Sequence, residues 1–331
     1  MNEALNSFIN RYAPLVDSYI LEKVRGTPEY IYEAAMHLIK AGGKRLRPII
    51  VLTVARALGG ITGETRALPL AAAVEVFHNF TLIHDDIMDN DDFRRGVPTV
   101  HKIWGVPKAI LAGDLLFSIS FLLISDAINR GLSRESGFEA FKVLAEASRK
   151  VCEGQGYDLK YEETWDVDES DYLKMIYLKT GALIEASAML GAIAAGGGKD
   201  VVSALGEYGR LVGIAFQIRD DILGVFGDPG KTGKPVYNDL RQGKKTLLVL
   251  YTINRIADRD AFMRLLGSSN VDDLRKAAEI IRRSGALEYA ERLAYSYSQQ
   301  ATSIIHSLNV VDSTARDALV ELARYVVERE K

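Results

Sequence analysis

The chain has 331 residues, of which 48% are hydrophobic, so it can form one large domain or two ordinary ones around a sizeable core. Lysine and arginine total 41 against 44 for aspartate and glutamate, and the formal charge of −3 gives no global electrostatic case for binding nucleic acid or an anionic membrane. The single cysteine, Cys152, excludes an internal disulfide framework and any cysteine-cluster metal site, and it fits a reducing compartment.

Most of the chain shows the period of amphipathic helices. Apolar residues recur at three- and four-residue spacing, and alternating strand patterns are scarce. Short stretches with glycine and proline interrupt this pattern and suit connections between helices rather than between domains. We expect these loops at 41–48, 57–69, 94–98, 194–200 and 226–235. The sequence therefore predicts a single all-α domain over residues 1–331.

The most apolar stretch, 109–124, has the properties of a buried helix. Asp114 and several serines interrupt it, which favours a core helix over a membrane span. The N-terminal residues lack a basic region followed by an apolar core, and no run of about 18 uncharged apolar residues occurs. We therefore expect a cytoplasmic protein without stable membrane insertion.

Residues 83–91, IHDDIMDND, place four aspartates in nine positions. On a helix, Asp85 and Asp89 fall about 40° apart on one face, with Asp86 beside them. Clustered carboxylates repel one another unless cations share them, and hard oxygen ligands favour magnesium over zinc or copper. A solvated aspartate cluster at a helix end is the alternative interpretation.

A second acidic pair, Asp220 and Asp221, lies in AFQIRDDILGVFGD at 215–228, with Gln217 one turn upstream. Two clusters suggest a shared metal site. Magnesium held by few carboxylates usually completes its shell with substrate phosphates, so we expect a phosphorylated ligand.

Basic residues that could bind such phosphates lie on both sides of the first cluster. GGKRLRP at 42–48 supplies Lys44 and Arg47 beside two glycines that allow close approach of the backbone. Arg94 and Arg95 follow the aspartates directly. Each segment taken singly could also be an ordinary basic turn.

The chain resembles the trans-isoprenyl diphosphate synthases, which make farnesyl and geranylgeranyl diphosphates, through nearly its whole length. The resemblance rests on six segments in the family's order: GGKRLRP, HDDIMDNDDFRRGVPTVH, GDLL, KTG, GIAFQIRDDILG and GKPVYNDLRQGKKT. It implies an isoprenoid synthase helical bundle with a deep central cavity, assembled as a homodimer, with one aspartate motif on each of two facing walls. It also implies a magnesium-dependent enzyme that condenses isopentenyl diphosphate with the allylic dimethylallyl, geranyl or farnesyl diphosphate.

The resemblance further implies a role for each candidate residue. The magnesium ligands would be Asp85, Asp86, Asp89, Asp220 and Asp221. Isopentenyl diphosphate would be bound by Gly43, Lys44, Arg47, His78 and Arg95. The allylic diphosphate would be bound by Arg94, Lys179 and Lys234, and the carbocation path would be lined by Thr180 and Gln217. The residues acting in ionisation, condensation and elimination would be Asp85, Asp86, Lys179, Thr180, Gln217 and Asp220.

Two positions depart from the family pattern. The second motif of many relatives is DDxxD, but Gly224 stands at its fifth position, so one metal ligand is missing unless Asp228 substitutes. Tyr237 stands where relatives often carry glycine.

Two other functions remain as alternatives. Gly224 brings the second motif close to the pattern of terpene cyclases, although a cyclase has no second diphosphate substrate and leaves Lys44, Arg47 and Arg95 unexplained. A non-catalytic subunit of a heteromeric synthase is the other alternative. Such subunits tend to lose aspartates that this chain keeps.

Product length is expected to depend on side chains below the first motif. Phe80 and Phe77 lie five and eight residues before Asp85, about 7.5 Å and 12 Å along a helix. A straight helical wheel favours Thr81 or Phe77 as the floor, whereas the family resemblance favours Phe80. We expect geranylgeranyl diphosphate as the product, with farnesyl diphosphate as the alternative.

Overall fold

The computed structural model describes residues 3–228 and 237–329, so the candidate Lys234 lies outside the described residues. In chain order the helices are α1 Glu3–Lys23, α2 Glu29–Lys40, α3 Leu46–Met88, α4 Val100–Trp104, α5 Val106–Asn129, α6 Arg134–Glu163, α7 Glu169–Ile176, α8 Ala182–Ala194, α9 Lys199–Phe226, α10 Asn238–Arg241, α11 Leu247–Ile253, α12 Arg259–Met263, α13 Val271–Arg283, α14 Ala286–Ser307 and α15 Ser313–Glu328. A π-helical turn, Tyr177–Gly181, links α7 to α8. The predicted all-α fold class is confirmed.

The chain divides into two compact units. Unit one comprises Met1–Ala147, Leu183–Gly206 and Ser307–Glu321, and unit two comprises Ser148–Ala182, Glu207–His306 and Leu322–Lys331. The single domain over residues 1–331 stays a prediction.

Helix α3 forms much of the core of unit one. Residues 49–52 are consecutive, apolar and at most 1% exposed, as expected for a helix that is surrounded by protein. The loop predicted at 57–69 is wrong: the segment is helical except at Gly60, where φ is +58°. The glycines there serve close packing, since a Cβ at Gly63 would lie 2.5 Å from the carbonyl oxygen of Ala55.

A small hairpin follows α3. Strands β1 (Phe93–Arg94) and β2 (Val97–Pro98) pair antiparallel, with Arg94 opposite Val97. Its two turn residues, Arg95 and Gly96, have φ values of 54° and 77°. Two positive φ values match the two-residue turn that joins the strands of a tight hairpin. Arg94 lies in a strand and Arg95 in the turn, so the two consecutive arginines have different environments.

Unit two has a separate core, in which Tyr172, Leu240, Phe262 and Ile281 are at most 1% exposed. Tyr237 packs against this core and has a φ of 59°, in the left-handed region. That region favours glycine because it has no Cβ, so glycine would be the unstrained residue at this position. The tyrosine retains apolar packing at a cost in backbone strain.

Three described helical segments are long and apolar enough, by length and composition alone, to cross a membrane: Leu46–Met88, Val106–Asn129 and Glu169–Ala194. Within the most apolar 18 residues of each segment, the fold buries 56%, 44% and 72%, respectively. The first and third segments thus bury most of this surface against protein.

Candidate active site

The first aspartate motif occupies the last turn of α3. Asp89 ends the helix, and its N–H donates to the carbonyl oxygen of Asp85 at 2.9 Å. Arg94 in β1 reaches back to this turn: its Nε donates to Asp86 Oδ1 at 2.7 Å, and its Nη2 lies 3.6 Å from Asp85 Oδ2. The hairpin is therefore fixed to the acidic motif by a charge pair that is largely buried, because the Asp86 side chain is only 1% exposed.

The Asp86 carboxyl is suited to a cation. Burial raises its pKa to about 6, and the positive charge of Arg94 opposes that shift. The buried Oδ2 atom of Asp86 accepts no hydrogen bond from the described residues. A buried carboxylate oxygen without a partner is costly, and a nearby divalent cation would offset that cost. The donors of the motif are carboxylate oxygens, which fit magnesium.

Within 3–228 and 237–329, no three His, Cys, Asp or Glu side chains are gathered closely enough to hold one ion. Magnesium usually keeps several waters and binds through one or two carboxylates plus phosphate oxygens. The few carboxylates of the first motif therefore suit a magnesium site whose remaining ligands are phosphate oxygens of the substrate and water. The first motif belongs to unit one and the second to unit two, and the expectation that they share metal ions stays a prediction.

Arg47 and His78 contact each other within α3. Arg47 Nη1 lies 3.3 Å from His78 Nε2. Burial, followed by the charge of Arg47, holds the pKa of His78 well below its usual value, so the ring is neutral and its Nε2 accepts. Burial also lowers the pKa of Arg47 to about 10, and the guanidinium keeps its charge at neutral pH. Its buried Nε makes no hydrogen bond to the described residues and is a suitable donor for an anion.

Gly43 and Arg95 meet where the loop before α3 approaches the hairpin, and Lys44 follows Gly43 in that loop. Gly43 and Lys44 are exposed, and a Cβ at Gly43 would lie 2.9 Å from the Arg95 Cζ atom. Glycine at this position therefore permits the close approach of Arg95. Arg95 Nη1 donates to the Leu38 carbonyl oxygen at 2.7 Å and to Asn79 Oδ1 at 3.2 Å, which fixes its guanidinium.

Three buried residues around these candidates were missed by sequence reasoning: Arg45, Glu75 and Asn79. Glu75 Oε1 accepts hydrogen bonds from Arg45 Nη1 and Asn79 Nδ2, both at 3.0 Å. The available signal was a lone acidic residue in the apolar run AAAVEVF, where an uncompensated charge would be unfavourable.

In the second aspartate motif, Asp221 differs from Asp86 of the first motif in its hydrogen bonds. Both oxygens of the buried Asp221 carboxylate accept hydrogen bonds, from the Tyr172 hydroxyl at 2.7 Å and from Gln217 Nε2 at 2.8 Å. Thr180 Oγ1 donates to Gln217 Oε1 at 2.9 Å, so the structure joins three predicted residues in one chain of hydrogen bonds. Burial, followed by the charge of Asp239, raises the pKa of Asp221 to about 7.

Two further candidate residues, Asp220 and Lys179, form ion pairs in unit two. Asp220 is more exposed than Asp221, and its Oδ1 accepts from Nη2 of the buried Arg329 at 2.9 Å. Arg329 lies at the end of the described chain, and no motif marked it in the sequence. Lys179, in the π-helical turn, pairs with Asp158.

Gly224 has a physical explanation in the structure. A Cβ at this position would lie 2.0 Å from Oδ2 of Asp239, whose buried carboxylate fills the space beside α9. The carboxylate of Asp239, in α10, therefore lies next to Gly224 at the fifth position of the second motif. Asp228, the substitute considered from the sequence, is exposed.

Two of the three residues proposed to control product length, Phe77 and Phe80, lie against α5. The Phe77 and Phe80 ring centroids are 5.2 Å apart, and they lie 6.1 Å and 5.3 Å from that of Phe117. The Thr81 hydroxyl donates to the His78 carbonyl oxygen at 2.8 Å, so it is occupied within its own helix. The aromatic contacts include both phenylalanines and add Phe117, which sequence reasoning did not single out.

Comparison with known proteins identifies the family of the chain. The family model described as polyprenyl synthetase matches residues 28–281. The chain is 53% identical over 317 residues to a geranylfarnesyl diphosphate synthase of Aeropyrum pernix, covering 96% of this chain and 100% of that protein.

Two solved structures are also similar. A geranylgeranyl pyrophosphate synthetase from Pyrococcus horikoshii has a TM-score of 0.92 at 41% identity, with 99% of both chains covered. A polyprenyl synthase from Caulobacter crescentus, solved with calcium and isoprenyl diphosphate, has a TM-score of 0.89 at 34% identity, covering 99% of this chain and 98% of that one.

The all-α fold, together with similarity to these synthases over nearly the whole chain, is that of a prenyl diphosphate synthase. The chain belongs to the polyprenyl synthetase family and is a short-chain prenyltransferase.

Gly224→Ala is expected to destabilise the protein, because the added methyl group overlaps the buried Asp239 carboxylate. The expected loss is about 1–3 kcal/mol, measured as a lower midpoint of thermal unfolding. Gly156→Ala is the matched control, since a Cβ at that helical glycine meets no atom within 4 Å. An unchanged midpoint for Gly224→Ala would contradict the close approach of Asp239.

Proposed function

We propose that the protein catalyses the magnesium-dependent condensation of isopentenyl diphosphate with an allylic diphosphate. The observation that carries this proposal is the acidic edge of α3, where the buried Asp86 pairs with the guanidinium of Arg94 and where Arg47 lies on the same helix. Carboxylates next to guanidiniums suit a ligand in which metal ions and phosphate oxygens are both present. The similar Caulobacter crescentus synthase, which was solved with both calcium and isoprenyl diphosphate, supports this combination.

The aspartates would hold the metal at the allylic diphosphate: Asp85, Asp86, Asp89, Asp220 and Asp221. When bound, magnesium supplies neutralisation of the charge that grows on the leaving diphosphate. Arg94 and Lys179 would each add fixed positive charge to the leaving diphosphate. These side chains favour ionisation of the allylic carbon–oxygen bond, since they stabilise the departing anion more than the bound ester.

Isopentenyl diphosphate is proposed to bind at the loop before α3 and the hairpin turn. Lys44, Arg47 and Arg95 would bind its diphosphate and hold its double bond in attack geometry. Neutral His78 orients Arg47, because its Nε2 accepts from the guanidinium. Thr180 and Gln217 would present their oxygen dipoles to the carbocation. Proton loss completes the reaction, and the departing diphosphate can accept that proton.

We propose geranylgeranyl diphosphate as the main product. The similar Pyrococcus horikoshii structure carries that name, and the half-buried Phe80 ring lies about 1.4 turns before Asp85. Geranylfarnesyl diphosphate is a second candidate, because the Aeropyrum pernix relative is named for that product. Farnesyl diphosphate, the alternative product expected from the sequence, is a third outcome that a product assay separates.

We also propose a cytoplasmic homodimer. Helices α5 and α6 expose Leu122 (67%) and Phe138 (62%), and the Phe121 and Phe141 rings, with centroids 5.4 Å apart, connect the two helices. Large exposed apolar side chains on two helices that contact each other fit a protein interface. Light scattering that gave the mass of one chain would contradict the dimer. The lone cysteine supports the cytoplasmic location.

The function is tested with the purified protein, magnesium, isopentenyl diphosphate and each allylic primer. Asp85→Asn removes one carboxylate charge with little change in shape, and we expect kcat to fall about 100-fold or more while the unfolding midpoint changes little. The exposed Asp92→Asn is the matched control and should retain turnover. Retained turnover in Asp85→Asn, or no turnover by the wild-type chain alone, would contradict the proposal.

Phe80→Ala is expected to lengthen the product by at least one five-carbon unit, because it removes a ring from the aromatic contacts below the first motif. Chromatography of the products from a farnesyl primer measures this shift. Phe8→Ala, which removes a buried ring from α1, should change stability without changing product length. An unchanged product distribution for Phe80→Ala would reject this residue as the floor.

A further inference from the structure

Glu75 is a buried acidic residue that the reaction itself does not use. Its side chain is 2% exposed, and its Oε1 accepts from Arg45 Nη1 and Asn79 Nδ2 at 3.0 Å. Arg95 Nη2 lies 3.9 Å from the same oxygen. One carboxylate oxygen of α3 therefore lies among groups from the loop before the helix, from the helix itself and from the hairpin turn.

Arg45 connects this carboxylate to the loop that carries Lys44. Its guanidinium donates to Asp17 at 2.7 Å, to the Ile39 carbonyl oxygen at 2.6 Å and to the Gly42 carbonyl oxygen at 3.0 Å. These acceptors satisfy the guanidinium, so Arg45 holds the loop together and is not a free donor for a phosphate. Its own backbone has a φ of 51°, in the left-handed region that side chains disfavour.

Arg95 has the same unusual backbone, with a φ of 54° at the hairpin turn. Arg45 and Arg95 thus both adopt left-handed conformations, and their guanidiniums converge on Glu75. Between them lies Gly43, where a Cβ would be 2.9 Å from Arg95 Cζ and 3.1 Å from Arg45 Nη1. Strained residues persist only where the surroundings over-determine them, and here the shared partner is the buried carboxylate.

The charges show why this carboxylate matters. The guanidiniums of Arg45 and Arg95 both lie within 4 Å of Glu75 Oε1, so they would repel each other without the negative charge of Glu75 between them. Asn79 links the two sides, since its Nδ2 donates to Glu75 while its Oδ1 accepts from Arg95. Loss of the negative charge would leave the hydrogen-bonding shape in place but release the attraction that sets the spacing of the loop and the turn.

We infer that Glu75 is a positioning residue, which holds the loop of Gly43 and Lys44 and the Arg95 turn at the spacing needed for the diphosphate of isopentenyl diphosphate. This inference rests on the proposed function. Glu75 acts through the two arginines and does not touch the substrate.

Glu75→Gln tests this inference because it keeps the size of the side chain and removes its charge. We expect the KM for isopentenyl diphosphate to rise at least tenfold, with kcat and the KM of the allylic primer changing less than threefold. Calorimetric titration with isopentenyl diphosphate alone, in which no turnover occurs, should show the same loss of affinity. If Glu75→Gln does not fold, Asn79→Ala replaces it as the test. This variant retains the pair of Glu75 with Arg45, and we expect it to lower the affinity for isopentenyl diphosphate selectively.

Glu64→Gln is the matched control. Glu64 lies on α3, is 8% exposed and accepts from Tyr12 at 3.0 Å and Arg56 at 3.3 Å, and it also pairs with Arg11. We expect it to lower the unfolding midpoint while leaving the KM of isopentenyl diphosphate unchanged. Equal effects of Glu75→Gln on both substrates, or a lower midpoint with unchanged affinity, would overturn the positioning role. An inactive wild-type protein would instead reject the proposed function.

Discussion

Charge placed on a buried helix face must be matched by opposite charge, and this constraint shapes the site along α3. The helix is apolar over most of its length, yet it carries Glu75 and Asp86 in buried positions. Burial disfavours an ionised carboxylate, as the raised pKa of Asp86 shows. Arginines from the preceding loop and the following hairpin supply the matching charge. The loops that carry the proposed substrate ligands are therefore attached to the helix by the same ion pairs that stabilise it.

The two arginines of the hairpin have separate partners because the turn places them in different environments. Arg94 is in β1 and pairs with the acidic motif, whereas Arg95 is in the turn and reaches the Leu38 carbonyl oxygen and Asn79. This division matches the proposed chemistry, in which two diphosphates bind at neighbouring positions and only one of them leaves. A single flexible basic loop would not separate the two anions in this way.

The sequence was sufficient to predict the all-α class, since helical periodicity runs through most of the chain. It also located the aspartate motifs and their basic neighbours, because charged residues in apolar runs are conspicuous. It failed where glycines have a packing role: Gly63 resembles a loop residue but allows contact with Ala55. Gly224 resembles a lost ligand, and only the structure shows Asp239 in the space beside it. Contacts between residues that are not neighbours on one helical turn leave no local pattern, and the roles of Glu75 and Arg329 were missed for the same reason.

The central claim is that the acidic edge of α3 binds an allylic diphosphate through magnesium. Its most direct test is a calorimetric titration of the protein with the unreactive thiolodiphosphate analogue of geranyl diphosphate, in magnesium and in EDTA. The account predicts clear binding with magnesium and a large loss of affinity in EDTA, since the carboxylates and the diphosphate repel each other without the metal. Equal affinity in the two conditions would contradict it.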